Sequence, residues 1–257
     1  MALIKCDFYS DVLKLSTSMT VILPQQTNTQ IGMQNTISAT NKHQTLYLLH
    51  GLSDDDTIWT RRTSIERYVA PLGLAVVMPQ VHRSFYTDMQ YGNKYWTFLT
   101  EELPFVAKSF FPLSDKRDDN FVAGLSMGGY GAFKWALNLP NQFRAAASLS
   151  GVLDIVQHIN RQERTDTLRL VFGNQDVSGT EHDLFSLVEK LHQSEQKPML
   201  YQACGTEDFL YEDNIRFKEF CEKTNFDLTT KFNTGEHEWG YWDKMIQDVL
   251  SWLPLKN

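Results

Sequence analysis

Cysteine is scarce in this 257-residue chain: Cys6, Cys204 and Cys221 are the whole set. An odd, sparse set does not build a disulfide framework, and these spacings match no zinc pattern. The expectation is a reduced, cytoplasmic, metal-independent protein. Long apolar runs are missing as well, and no window approaches the ~18 residues that a membrane-spanning helix needs. The opening MALIKCDFYSDVLKLSTSMTVILP lacks a cationic segment followed by an apolar stretch, so no secretory signal is read. Nor is there an excess of positive charge. Lys and Arg total 24 against 31 Asp and Glu, a formal net charge of −7, which argues against nucleic acid or an anionic membrane as partner. Internal repeats and low-complexity tracts are absent. The number of copies is not fixed by any of this, and a homo-oligomer stays open.

What is present reads as an ordinary globular composition, 42% hydrophobic and 21% charged. The length suits one hydrophobic core, so a single domain over 1–257 is expected. KLSTSMTVILP places Leu15, Met19, Val21 and Leu23 mostly on one side, as an edge hairpin strand would. Residues 25–44 read as a long exposed connection. TLYLLHG (45–51) is a short apolar run ending in Gly, the pattern of a strand buried on both faces. Beyond it the chain alternates. Helical stripes over 57–70, 95–111 (with Pro104 as a kink or first-turn proline), 128–139, 183–193, 211–225 and 240–252 separate apolar runs at 73–80, 120–124, 145–151, 198–205 and 228–233. LRLVFG fits either type. Strands alternating with helices predict an α/β fold: a central, mostly parallel sheet flanked by helices, with an antiparallel N-terminal hairpin at its edge. Ligands in such sheets sit at the carboxyl ends of the strands.

That rule gives meaning to one hydroxyl. Ser126 stands in Gly124-Leu125-Ser126-Met127-Gly128, directly after FVAG and directly before GGYGAFKWAL. Gly-x-Ser-x-Gly alone is a weak pattern. Placed between a strand and a helix, it describes a nucleophile on a sharp turn, with small neighbours because strand and helix come close there. A serine hydroxyl needs a base to take its proton, and the base needs an acceptor to hold its tautomer. Among the downstream histidines, His182 and His192 fall on or beside a surface helix and His158 in a polar insertion. His237, in FNTGEHEWGYW, directly follows the last strand. For the acid, Asp208 in CGTEDFLYEDN follows the preceding strand; Glu207 and Asp213 share its loop, and Asp176 is an outside candidate. The oxyanion formed on attack needs two donors. Met127 N–H, next to the nucleophile, is one, and Leu52 N–H, in LLHGLSDDD after the first central strand, is the other.

YLLHGLSDDDTIWTRRTSIERY, GLSMGGYGAFKWAL, CGTEDFLYEDN and GEHEWGYWD, in that order, resemble the tributyrin esterase branch of the esterase D group of α/β-hydrolases. Related members are S-formylglutathione hydrolases, feruloyl and acetylxylan esterases and mycolyltransferases. The resemblance runs from the first central strand to the last helix. It implies an α/β-hydrolase fold, with Ser126 as nucleophile, Asp208 as acid, His237 as base, and Leu52 and Met127 as oxyanion donors. It further implies a cytoplasmic serine carboxylesterase that hydrolyses small, short-acyl esters (acetyl to butyryl) with no cofactor. A thioesterase of the S-formylglutathione type, or a deacetylase of acetylated carbohydrates, would use the same triad.

Other features are weighed against plainer readings. Asp54-Asp55-Asp56 invites a metal, but three adjacent carboxylates cannot all face one ion, and a solvated loop is expected. HRSFYTDMQYGNKYW (82–96), which ends on Trp96, is equally a pocket wall or a cover for the core. Trp239, two residues after His237, is the better wall on proximity. The stretch 152–182 is the natural place for a small cap, and its polarity does not suit the apolar lid of an interfacial lipase.

Overall fold

The computed structural model describes residues 1–25, 27, 42–161 and 165–256. The exposed connection expected at 25–44 therefore falls mostly outside the described residues.

Eight strands form one sheet: β1 (Ala2–Ser10), β2 (Leu15–Leu23), β3 (Thr45–Leu49), β4 (Ala75–Pro79), β5 (Asn120–Leu125), β6 (Ala145–Leu149), β7 (Met199–Gly205) and β8 (Leu228–Asn233). They lie side by side in the order β1-β2-β4-β3-β5-β6-β7-β8. The β1–β2 and β2–β4 pairs are antiparallel, and every later pair is parallel. The hairpin edge and the parallel body are both as expected. β1 alternates half-buried and exposed residues, as an edge strand with one dry face does, whereas β3, β4, β5 and β6 are buried throughout.

The period-2 alternation of the strands divides the core into two apolar layers. Tyr47, Leu49, Ala75 and Val77 point to one face, where they meet α3 (Tyr95–Thr97), α4 (Leu103–Phe110), α5 (Met127–Asn138), α6 (Ile155–Arg161), α7 (Asp166–Phe172), α8 (Leu184–Leu191) and α9 (Tyr211–Cys221). Leu46, Leu48, Val76 and Met78 point to the other, against α1 (Ile58–Arg62), α2 (Ile65–Val69) and α10 (Trp239–Trp252). Large side chains buried in such layers contribute about 1.5–3 kcal/mol each, offset largely by the entropy of ordering the chain. α5 is the innermost helix: every residue from Met127 to Leu137 is buried, so it presents no solvent face and its sequence has no polar stripe.

Two local ambiguities resolve on physical grounds. Proline has no N–H and its ring collides with the carbonyl four residues back. The chain accommodates Pro104 with a wide π-turn at Phe98–Glu102, which joins α3 to α4 and leaves Pro104 in the first turn of α4. LRLVF lies in helix α7, where Leu168, Val171 and Phe172 share a buried face at helical spacing, and Gly173 ends it.

Candidate active site

Three strand ends converge on one point. Ser126 closes β5 and opens α5 with φ +53° and ψ −118°, a region L-residues rarely occupy and one that costs on the order of 1–3 kcal/mol. Its backbone is fully engaged: the N–H donates to Leu149 O at 2.8 Å, and its carbonyl accepts from Tyr130 N–H at 3.1 Å. The turn is feasible because Gly124 and Gly128 have no side chains. A Cβ on Gly124 would lie 2.3 Å from Gly128 O, and one on Gly128 would lie 2.5 Å from Leu49 O.

Asp208 follows β7, and His237 follows β8. His237 Nε2 lies 3.0 Å from Ser126 Oγ, and His237 Nδ1 lies 2.8 Å from Asp208 Oδ2. A carboxylate only accepts, so Nδ1 carries the proton and Nε2 is left bare toward the serine hydroxyl. Burial pushes the Asp208 carboxyl up. The bond and charge of His237, the Leu210 N–H at 2.8 Å on Oδ1, and the Ser150 hydroxyl outweigh it and leave the group below the usual carboxylate range. Ser150, at the end of β6, in turn accepts from Trp242 Nε1 at 3.1 Å. The Trp242 and His237 rings meet at right angles, 4.9 Å between centroids, and Phe209 packs on the imidazole at 4.5 Å.

Leu52 and Met127 line the same space as Ser126, and their backbone N–H groups have no acceptor among the described residues. The Met127 N–H belongs to the first turn of α5, where a helix leaves such donors free. The loop before Leu52 is tied down by His50. Its Nε2 accepts from Val81 N–H at 3.1 Å and its Nδ1 donates to Gly51 O at 2.7 Å. Burial lowers its pKa to about 4, against the Gly51 bond that raises it, so the ring is neutral.

Two clefts meet at Ser126. One, of about 270 Å³, runs between Phe85, Val152, Leu168, Leu210 and Met127, with Arg83, His158 and Thr167 also on its wall. The other, of about 580 Å³, runs past His237, Glu238, Trp239, Trp242 and Asp54. Trp239 is therefore on a wall, braced edge-on by Trp59 and Trp242 at 5.3 and 5.2 Å. Trp96, read from sequence as a wall candidate, lines neither cleft. Its ring lies 4.4 Å from the Lys134 ammonium group, a favourable seat for an aromatic face over a buried cation.

The competing candidates have other partners. Asp213 sits in α9 and pairs with Arg161 and Arg216, Glu207 turns away to accept from Gly235 N–H, and Asp176 accepts from Ser178 N–H. His158 reaches the smaller cleft but not the serine. Of the acidic run, Asp56 is buried and accepts from Ser18 and Thr20, while Asp55 accepts from Thr57; no metal-binding cluster occurs among the described residues. Sequence reasoning passed over Ser150 and Phe209, and it weighed the 82–96 stretch as a wall without singling out Phe85, which with Arg83 lines the smaller cleft. Ser150 and Phe209 lie at or beside strand ends already singled out, which was the available signal.

Comparison with known proteins agrees with this geometry. Residues 13–253 match the family described as "Putative esterase". An acetyl esterase of Caldicellulosiruptor saccharolyticus is 32% identical over 98% of this chain and 98% of its own length. The structure of a fluorophosphonate-binding serine hydrolase F of Staphylococcus aureus, substrate bound, superposes with a TM-score of 0.88 at 38% identity, covering 100% of this chain and 99% of that one. An S-formylglutathione hydrolase from the same organism gives 0.85 at 38% identity, with 98% of each chain covered.

Proposed function

The chain belongs to this esterase family and is a carboxylic-ester hydrolase, and we propose that it cleaves short-chain acyl esters through an acyl-enzyme on Ser126. The carrying observation is the hydrogen-bonded line from Asp208 through His237 to Ser126, at 2.8 and 3.0 Å. In this reading Ser126 Oγ attacks the ester carbonyl while His237 Nε2 takes its proton. The carbonyl oxygen, now negative, receives the N–H groups of Leu52 and Met127, assisted by the amino-terminal end of α5. His237 then protonates the leaving alcohol, and a water activated by the same imidazole releases the acid.

The two clefts divide by the same logic. The departing oxygen must face His237, so the alcohol occupies the larger cleft beside Trp239 and Trp242. The acyl chain occupies the smaller, apolar one. At about 270 Å³ that space falls below the ~300–1,000 Å³ usual for ligand pockets, which favours acetyl to butyryl chains. The 152–182 stretch supplies Val152, His158, Thr167 and Leu168 to its wall and serves as a small cap. Three thiols without a disulfide favour a cytoplasmic setting, and no helix among the described residues is long and apolar enough to cross a membrane.

Thioester hydrolysis is a second reading, favoured by the 38%-identical S-formylglutathione hydrolase structure. Deacetylation of carbohydrates is another, favoured by the acetyl esterase relative. Rates on butyryl esters, S-formylglutathione and acetylated sugars, measured side by side, separate the three. Ser126→Ala is expected to abolish turnover of all of them, by 10³-fold or more, with an unchanged thermal unfolding curve. Substantial residual activity would remove Ser126 from the mechanism.

A further inference from the structure

A helix buried on all sides should carry apolar residues, yet α5 carries a lysine. Lys134 is 0% exposed. Its Nζ donates to Tyr86 O at 2.9 Å and to Thr87 Oγ1 at 2.8 Å, under the rings of Trp96 at 4.4 Å and Tyr130 at 5.9 Å. The acids that act on it, Glu181 and Asp88, do so without direct contact. A buried amine without a paired carboxylate is costly, and a methionine of similar length would fill the space more cheaply. Something other than packing therefore accounts for it.

Both hydrogen bonds end on a strained turn. His82, Phe85 and Tyr86 have φ of 49°, 49° and 52°, the left-handed region that non-glycine residues avoid. The Tyr86 ring packs against α5 at Gly131, where a Cβ would come within 2.4 Å of it. From there the Tyr86 hydroxyl donates to His50 O at 2.8 Å. His50 holds Gly51 O through Nδ1. Since a peptide unit is planar and trans, a fixed Gly51 C=O fixes the direction of the Leu52 N–H on the opposite side of the same plane. The same turn also presents Phe85 to the smaller cleft.

We propose that Lys134 is a positioning residue, which holds the strained 82–87 turn so that Tyr86 braces His50 and thereby aims the Leu52 N–H at the oxyanion. The inference rests on the oxyanion role proposed above for Leu52. Charged or neutral, the amine keeps hydrogens for both bonds, so the brace persists through its titration.

The test compares the wild type with Tyr86→Phe, Lys134→Met and the double variant. Active sites are counted by the adduct mass of a fluorophosphonate on Ser126, so that unfolded protein drops out of kcat. With p-nitrophenyl butyrate, each single variant should lose about tenfold or more in kcat per labelled site, with KM within about twofold. The double variant should be no worse than the poorer single, because both cut one chain of contacts. Tyr86→Phe removes one oxygen and decides the matter alone if Lys134→Met does not fold. A Tyr86→Phe enzyme within twofold of wild type in kcat per site, or losses that multiply in the double variant, would overturn the brace. Failure of wild-type Ser126 to take the label would instead overturn the serine-esterase reading beneath it.

Discussion

Ser126 acts at the end of a chain of contacts in which each residue constrains the next. Trp242 donates to Ser150, Ser150 bonds Asp208, Asp208 holds the His237 tautomer, and His237 faces Ser126. Ser150 is the member whose contribution is easiest to isolate. A hydrogen bond to a charged group is worth about 1.5–3 kcal/mol, but the Asp208 carboxylate already holds it in the ground state. Only the fraction gained as His237 becomes protonated in the proposed transition state, at most about 1.4 kcal/mol, acts on kcat. Ser150→Ala should therefore lower kcat by up to about tenfold while leaving KM near its original value, as steady-state kinetics would read directly. That Ser126, Asp208 and His237 meet was legible because each immediately follows a strand or stands a few residues beyond one. Ser150 was not, because its hydroxyl acquires a role only when β7 is laid beside β6 and α10 brings Trp242 across both.

At the scale of elements, an ion network fastens the 152–182 stretch to α9. Arg161 of α6 meets Asp213 at 2.9 Å, and Arg216 meets Asp213 at 2.5 Å and Asp154 at 3.0 Å. Asp213 is buried, so removing its charge leaves Arg161 beside a neutral side chain and Arg216 with Asp154 as its remaining acid. Asp213→Asn should loosen α6 and with it the wall of the smaller cleft. A loss of about 1 kcal/mol in acyl binding, roughly fivefold in KM for butyryl esters, is expected, together with better relative acceptance of longer chains. An acyl-length series on the variant and the wild type checks both. Strand-and-helix alternation made most elements readable, since apolar runs of about five residues bounded by glycine differ from stripes at helical spacing. Residues 152–182 resisted because their apolar runs are short and their partners distant. Trp96 was misplaced for a related reason: nothing local to an aromatic-rich loop reveals that a buried lysine lies beneath it.

Over the whole molecule the same lysine gives stability a pH dependence. Burial lowers Lys134 to about 7 in the folded protein, with Glu181 and Asp88 pulling weakly upward, while an unfolded lysine titrates near 10.4. Between these values the unfolded chain holds a proton that the folded chain lacks, so this group makes stability rise with pH, by up to ~1.4 kcal/mol per unit. Lys134→Met removes that slope. Denaturant unfolding at pH 7, 8 and 9 should show the wild type gaining on the variant as pH increases, and parallel curves would contradict it.

The hydrogen bond between Ser126 and His237 joins positions 111 residues apart. A ribosome adding about 5–20 residues per second needs on the order of 5–20 s to cover that distance. Throughout that interval the nucleophile turn has been made but its base has not, and α10, whose Trp242 packs on the imidazole, comes later still. If His237 is the base, as proposed, hydrolytic capacity is withheld from the growing polypeptide until His237 and α10 have been added, so a chain stopped short of them cannot turn over the esters around it.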